Sequence, residues 1–459
     1  MNNSTASARR LLVAVLLLAP SLSPRLSAAR SQPSVAHEQF RLKNGLHVIL
    51  HPDRRLPKVV VNVLYRVGSR HEPPARSGVA HLFEHLMFMG TPRVGEGQLD
   101  LIMERAGGWN NAYTSEDVTD YYDVGPSRLL ETLLWMEADR MASLPRALTQ
   151  KKLDLQRKVV LNERRQSYEN RPYGKAQLEL PALSFPKGHP YSWPVIGSTR
   201  DLAAVTVGDC KSFFRRYYSP KNASLVIAGD FDSARAKALV RRYFSWIPAA
   251  RAPSDSKRPG PTRLSAVKKK TVTDRVKLPR LYLAWHSPRY FSAGDAAMDL
   301  TASILAAGKL SRLHRSLVFE RQIASKVTAY QDSRTLGSLF VVEVTLRPKA
   351  APKKVEALAL ALLAEYAKNG PTQAEVDRAK RGMETSFLKR MQSLRRRAEM
   401  LNRYFALTGR PDNVAADLSR YRSLSRAAIH REAKTVLGAK GRVELWVKGQ
   451  ASTKKGAGK

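Results

Sequence analysis

Gly78-Val79-Ala80-His81-Leu82-Phe83-Glu84-His85-Leu86-Met87-Phe88-Met89-Gly90 is the segment on which the fold and chemistry of this chain turn. From Ser77 to Met89 the apolar residues recur on a helical period, and Gly90 ends the run. Residues four apart on a helix share a face, so the imidazoles of His81 and His85 can reach one ion. Glu84 projects beside them. Zinc accepts imidazole nitrogen and, in catalytic sites, keeps a position open for water. A carboxylate next to that water can take its proton. Two histidines on a helix are often plain surface residues. Here Gly78-Val79-Ala80 and Leu86-Met87-Phe88 flank them with apolar side chains, so the trio sits in a largely buried helix. Buried polar groups need partners, and a metal supplies them. A third protein ligand is required. A carboxylate on another helix fits, and Glu163 within Val159-Val160-Leu161-Asn162-Glu163-Arg164 is a candidate. Spacing alone does not choose it over Glu116, Glu131 or Glu137.

On the N-terminal side, Phe40 to Leu50 and Val59 to Val67 alternate apolar and polar residues as half-buried strands do, with a tight turn at Gly45. On the C-terminal side, Leu129 to Met141 and Lys151 to Tyr168 read as helices and Ala223 to Ala228 as a strand. Residues 249–270 hold Pro253, Pro259, Gly260, Pro261 and Lys268 to Lys270 with no apolar period, which reads as a linker. Beyond it the order repeats. Leu281 to Trp285 is a strand, Ala296 to Ala307 a helix and Ser338 to Leu346 a strand. Lys354 to Lys368 and Thr372 to Leu407 are helices, the latter opened by a capping box of Thr372 with Glu375. Val443 to Val447 closes the series. The chain is therefore expected to be α+β, with two duplicated domains. The expected boundaries are 36–248 for the metal-bearing domain, 271–450 for the second and 451–459 for a disordered tail.

At 459 residues the chain is long enough for two or three domains. Lys plus Arg number 78 against 39 acidic residues, a formal charge of +39, which attracts polyanions. No basic stripe with interleaved aromatics accompanies that charge, so specific nucleic-acid binding is not indicated. Arg9 and Arg10, the apolar run Leu11 to Leu18, and the small residues Ser27, Ala28 and Ala29 read as a cleaved signal peptide over 1–29. That predicts a periplasmic or secreted protein, an uncleaved anchor being the alternative. The lone cysteine, Cys210, cannot form an intrachain disulfide and reads as a buried thiol.

The order His-x-x-Glu-His is the inverzincin signature. With Gly68-Ser69-Arg70-His71-Glu72, Gly107-Gly108-Trp109-Asn110-Asn111-Ala112-Tyr113-Thr114, Asn162-Glu163-Arg164, His189-Pro190-Tyr191 and Tyr218-Ser219-Pro220-Lys221-Asn222-Ala223, it resembles the pitrilysin–insulysin metallopeptidases. The length resembles the branch containing the mitochondrial processing peptidases and their bacterial relatives. The resemblance implies a zinc-dependent endopeptidase of unfolded or short peptides, with His81, His85 and Glu163 as zinc ligands and Glu84 as general base. It also implies that each domain is a mostly antiparallel sheet packed by helices, that the two form a peptide-binding cleft, and that Asn111 and Ala112 lie at a strand edge where substrate adds as an extra strand.

Two positions depart from the family pattern. Gln156 stands where a second acidic residue is usual, behind the ligands, and is expected to keep a hydrogen bond while weakening zinc binding. Val318 and Ser325 stand where an Arg and a Tyr often contact substrate. The missing support points to a homodimer, or to a heterodimer with an inactive homologous subunit. A non-catalytic peptide-binding or partner subunit of the same fold is the alternative function. The donor set would also suit manganese or cobalt.

Overall fold

The computed structural model describes residues 33–249, 259 and 262–449. The expected signal segment, residues 250–258 and 260–261 of the expected linker, and the tail lie outside the described residues. Among the described residues, eleven strands form two sheets. The first half supplies β1 (Glu38–Arg41), β2 (His47–Pro52), β3 (Lys58–Tyr65), β4 (Trp109–Thr114), β5 (Thr119–Pro126) and β6 (Ala223–Gly229). Their order across the sheet is β1-β2-β6-β3-β5-β4, and only β2 and β6 pair in parallel. The second half supplies β7 (Val267–Asp274), β8 (Arg280–Ser287), β9 (Ala324–Asp332), β10 (Ser338–Leu346) and β11 (Arg442–Gly449), in the order β7-β11-β8-β10-β9. Again only the first pair, β7 with β11, is parallel. With β1 set aside, both sheets share one strand order and one pairing pattern. The duplication expected from the sequence is present.

Strand β7 corrects part of the linker reading. Lys268 to Lys270 belong to a sheet edge, where lysine side chains blunt edge-to-edge association. Lys269 Nζ also meets the buried Glu444 carboxylate at 2.6 Å.

The apolar runs explain how the layers stack. Val59, Val60, Val61, Val63 and Leu64 of β3 are all buried, so both faces of the strand must be covered. One face packs against helices of its own half: α1 (Val79–Leu86), α2 (Leu130–Ala147) and α3 (Gln150–Arg164) join it in one apolar core. The other face is covered from the second half. The expected helix Thr372 to Leu407 breaks at Ser393, whose extended backbone (ψ 127°) caps a new helix. The second of the two resulting helices lays Ala398, Leu401 and Tyr404 on Ile49, Val60, Val226 and Ala228. The exchange is reciprocal. Helix α4 (Gly174–Ser184) and the turn after it place Ala176, Phe185 and Tyr191 on Tyr282, Ala284, Val341 and Leu445 of the second sheet. Each sheet thus has both faces packed, where sequence alone indicated one. Helix α5 (Asp295–Ala306) lines the other face of the second sheet, and α6 (Gln373–Gln392) leads into α7 (Leu394–Thr408), the helix that crosses to the first sheet.

A buried polar ladder fixes the register of α7. Asn402 Nδ2 donates to Asn62 Oδ1 at 2.7 Å, and Asn62 Nδ2 donates to Asp120 Oδ1 at 2.6 Å. Cys210 is buried, and burial pushes its thiol up to about 12.

Leu401 is fully buried in the exchanged interface. Leu401→Ala is expected to cost about 2–5 kcal/mol, the range for emptying a packed leucine site. Because α7 covers the first sheet, amide exchange along β6 should accelerate in that variant. Unchanged protection of Val226 to Ala228 would contradict the exchange of helices.

Candidate metal centre

Helix α1 begins at Gly78, which adopts φ 92°, a left-handed conformation suited to glycine. A Cβ there would come within 2.9 Å of the Ile196 carbonyl oxygen, so a side chain would push the helix off its seat. The free N–H groups of the first turn need acceptors. Glu72 supplies one: a carboxylate oxygen accepts from Ala80 N at 3.0 Å, and the other accepts from Trp193 Nε1 at 2.8 Å. Burial pushes the Glu72 carboxyl up to about 8. On the inner side of α1, Leu82, Phe83 and Leu86 are fully buried, and the Phe83 ring lies 4.5 Å from that of Tyr218. This packing leaves His81 and His85 on the opposite side, their ring centroids 4.8 Å apart.

Helix α3, opened by Thr149, whose side chain accepts from Lys152 N, carries Glu163 to the same place. Oε2 of Glu163 lies 3.7 Å from His81 Nε2 and 3.4 Å from His85 Nε2. The three residues can offer ligand atoms that all lie within 4.8 Å of one another. Among the described residues this is the one group of three or more His, Cys, Asp or Glu side chains so arranged. Two nitrogens and a carboxylate oxygen at these separations match the donor set and size of a zinc site. The other carboxylates that spacing had left open are engaged elsewhere. Glu116 pairs with Arg334 at 2.9 Å, Glu131 accepts from Tyr243 at 2.8 Å, and Glu137 is paired with Arg140.

Burial sets the protonation of the group. It lowers His81 to about 4, aided by His85 nearby, so His81 is neutral at pH 7. Burial would lower His85 too, but the carboxylates of Glu163 and Glu84 and a hydrogen bond to Gln156 lift it above its usual value. Glu163 is held below the ordinary carboxylate range by its hydrogen bond with His85. Glu84, 7% exposed, is pushed up to about 7 by burial, against the opposing effect of the Thr114 hydroxyl that donates to its Oε2. Gln156 donates from Nε2 to Met89 Sδ at 2.7 Å and also hydrogen-bonds the His85 imidazole.

These residues line one cleft of about 810 Å³, shared with Asn110 to Glu116, Gln156 and Tyr168. Asn111 and Ala112 lie on β4, the outermost strand of the first sheet, whose free edge runs along the cleft. Val318 packs against the second apolar core and Ser325 Oγ donates to Thr345 O at 3.3 Å; neither lines the cleft. Sequence reasoning missed Thr114 and the capping role of Glu72. Thr114 could have been found from strand alternation, since it shares a face with Ala112.

The second half has an equivalent helix without the donors. Helix α5 also starts at a glycine with φ 92°, Gly294. Counted from that cap, the positions of His81, Glu84 and His85 hold Ala297, Leu300 and Thr301.

Residues 47–185 match the family described as Insulinase (Peptidase family M16), and residues 204–383 match Peptidase M16 inactive domain. Zinc protease PqqE of Helicobacter pylori is 31% identical over 395 residues, covering 84% of this chain and 87% of the relative. The mitochondrial-processing peptidase subunit beta of Lentinula edodes is 26% identical, covering 84% of this chain and 86% of its own. The crystal structure of a protease from Helicobacter pylori superposes with a TM-score of 0.81 at 28% identity, over 91% of this chain and all of that one. The strand order, the grouped donors and these matches agree: the chain belongs to the M16, or insulinase, family of peptidases.

Proposed function

We propose that this protein is a zinc-dependent endopeptidase of extended peptides, with His81, His85 and Glu163 holding the ion and Glu84 as the general base. One observation carries the reading: both imidazole Nε2 atoms face a single Glu163 oxygen beside a buried, proton-hungry Glu84. Zinc bound there would supply Lewis acidity to water and to a peptide carbonyl. The chain's own groups do the rest. Glu84, poised near neutrality, takes a proton from the attacking water and returns it to the leaving amine. Thr114, by donating to Oε2, holds that carboxylate in one orientation. The free edge of β4 at Asn111 and Ala112 offers backbone N–H and C=O groups, which bind extended peptide with little demand on its side chains.

With Val318 and Ser325 turned to other work, no second-half hydroxyl or guanidinium at those positions supports the developing oxyanion. A second homologous subunit, or a second copy of this chain, is proposed to supply it. The relative named as subunit beta of a processing peptidase favours such pairing. The segment 1–29 supports export to the periplasm or beyond. No helix of the described residues is long and apolar enough to cross a membrane.

Glu84→Gln is expected to retain zinc and lose about 10²–10⁴-fold in turnover, the usual contribution of general-base catalysis, measured with a partner subunit both present and absent. Loss of the metal as well would remove Glu84 from that role. Gln156→Glu should tighten zinc binding in a competition titration, because a charged partner raises the basicity of His85; unchanged or weaker binding counts against it. His85 is held above its usual value by its hydrogen bond with Glu163, so zinc competes with a proton there as pH falls, whereas His81 is already neutral. Affinity should therefore fall as pH drops from 8 to 5.5, and a flat profile would contradict the assigned protonation.

A further inference from the structure

On the side of β4 away from α1 lies a second cavity of about 510 Å³, between the first sheet and helices α6 and α7. Tyr113 lines both this cavity and the metal cleft. Four guanidiniums line it, those of Arg390, Arg395, Arg396 and Arg403, against two carboxylates. Both carboxylates are committed. Glu399 is shared by Arg395, in close contact, and Arg396 at 3.4 Å. Asp417 accepts from Tyr404 Oη at 2.7 Å and from Arg420 at 2.9 Å. Arg390 and Arg403 contact aromatic rings instead, Phe387 at 4.9 Å and Tyr290 at 5.4 Å, and Arg403 also hydrogen-bonds the Tyr290 hydroxyl. Neither forms an ion pair with a carboxylate among the described residues, and both are exposed to solvent. A concave site with four guanidiniums against two carboxylates, two of the guanidiniums outside any ion pair, attracts an anion, and guanidinium geometry matches a carboxylate.

The geometry of β4 says where that anion comes from. Thr114 reaches Glu84, so Ala112 and Thr114 face the metal. The alternate positions face the other way: Tyr113 lines the arginine cavity, as does Tyr122, the register partner of Asn111, whose ring carries Arg395 at 4.8 Å. A peptide added to the edge of β4 sends its side chains alternately to these two faces. A residue adjacent in sequence to those over the metal therefore points toward Arg390 and Arg403.

We propose that this cavity is a subsite for an acidic side chain, Asp or Glu, of the peptide bound along β4, gripped by Arg403 and Arg390. The subsite rests on the endopeptidase reading for the path of the peptide. It gives the protein a preference for acidic substrates that the main-chain contacts alone would not produce.

The test uses the zinc-loaded full-length protein and matched peptides that differ by Glu or Gln at one position, scanned across the cleavage site. The readout is the Glu-to-Gln ratio of kcat/KM within each protein. Wild type should favour Glu at one position by about tenfold or more, the scale of one charge-assisted hydrogen bond. In Arg403→Gln/Arg390→Gln the ratio should fall toward one, and in Arg403→Lys it should drop but stay above that of the double substitution, since the charge is kept and the fork is lost. Cleavage with no acidic preference in wild type, or a preference untouched by the double substitution, overturns the subsite while leaving the peptidase reading intact. Peptides with free and amidated C-termini form a second arm. Discrimination that follows amidation, not the Glu position, would assign the cavity to a terminal carboxylate and overturn the side-chain proposal. Binding of the same labelled peptides to Glu84→Gln, followed by anisotropy, separates the two readings. Glu-selective, Arg403-dependent binding to Glu84→Gln, together with a wild type that cleaves none of the peptides, upholds the subsite and sinks the peptidase.

Discussion

An eight-residue helix such as Val79–Leu86 is not stable in isolation, since helices below about 12–15 residues are marginal in water. Its place and rotation are imposed from outside. Gly78 lets the chain turn in against Ile196, the Glu72 carboxylate takes up Ala80 N–H, and Phe83 and Leu82 lock the inner face into the core. Only one rotation of the helix meets all these conditions, and it is the one that aims His81, His85 and Glu84 outward at Glu163. The motifs around the signature that bear no chemistry are thereby explained. Glu72 caps the helix, and Tyr218 packs behind it while sharing a hydrogen bond with Tyr121 at 2.9 Å.

The second constraint is the reciprocal exchange of helices between halves. Each duplicated unit has a sheet too apolar on both faces to stand with helices on one side. Covering the second face with a neighbour's helix makes the pair one packed body, and it also brings α7 with its arginines next to β4. The duplication is then free to diverge. Helix α5 keeps the glycine cap and packing of α1 but carries Ala297, Leu300 and Thr301 in place of the donors. One half holds the grouped donors; the other shapes the space around them.

The local features were legible in the sequence for physical reasons. The i, i+4 spacing of His81 and His85 and the apolar flanks identify a buried, polar-faced helix without any structure. The identity of Glu163 was not legible from spacing, because Glu116, Glu131 and Glu137 differ from it only in their distant partners. It came from resemblance, and the structure brings it to the histidines. Features that depend on long-range packing stayed hidden. The lysines of β7 mask an edge strand, and the break at Ser393 that redirects α7 has no Gly or Pro to announce it. The side of β4 on which the arginines gather follows only from the fold.

Everything in the site depends on one ion being shared by residues from α1 and α3. Diffraction from zinc-loaded crystals, collected on either side of the zinc absorption edge, tests it directly. The expected result is a single anomalous peak about 2.0–2.2 Å from Nε2 of His81, Nε2 of His85 and a carboxylate oxygen of Glu163. A peak elsewhere, or a loaded crystal in which Glu163 turns away from both imidazoles, would contradict it.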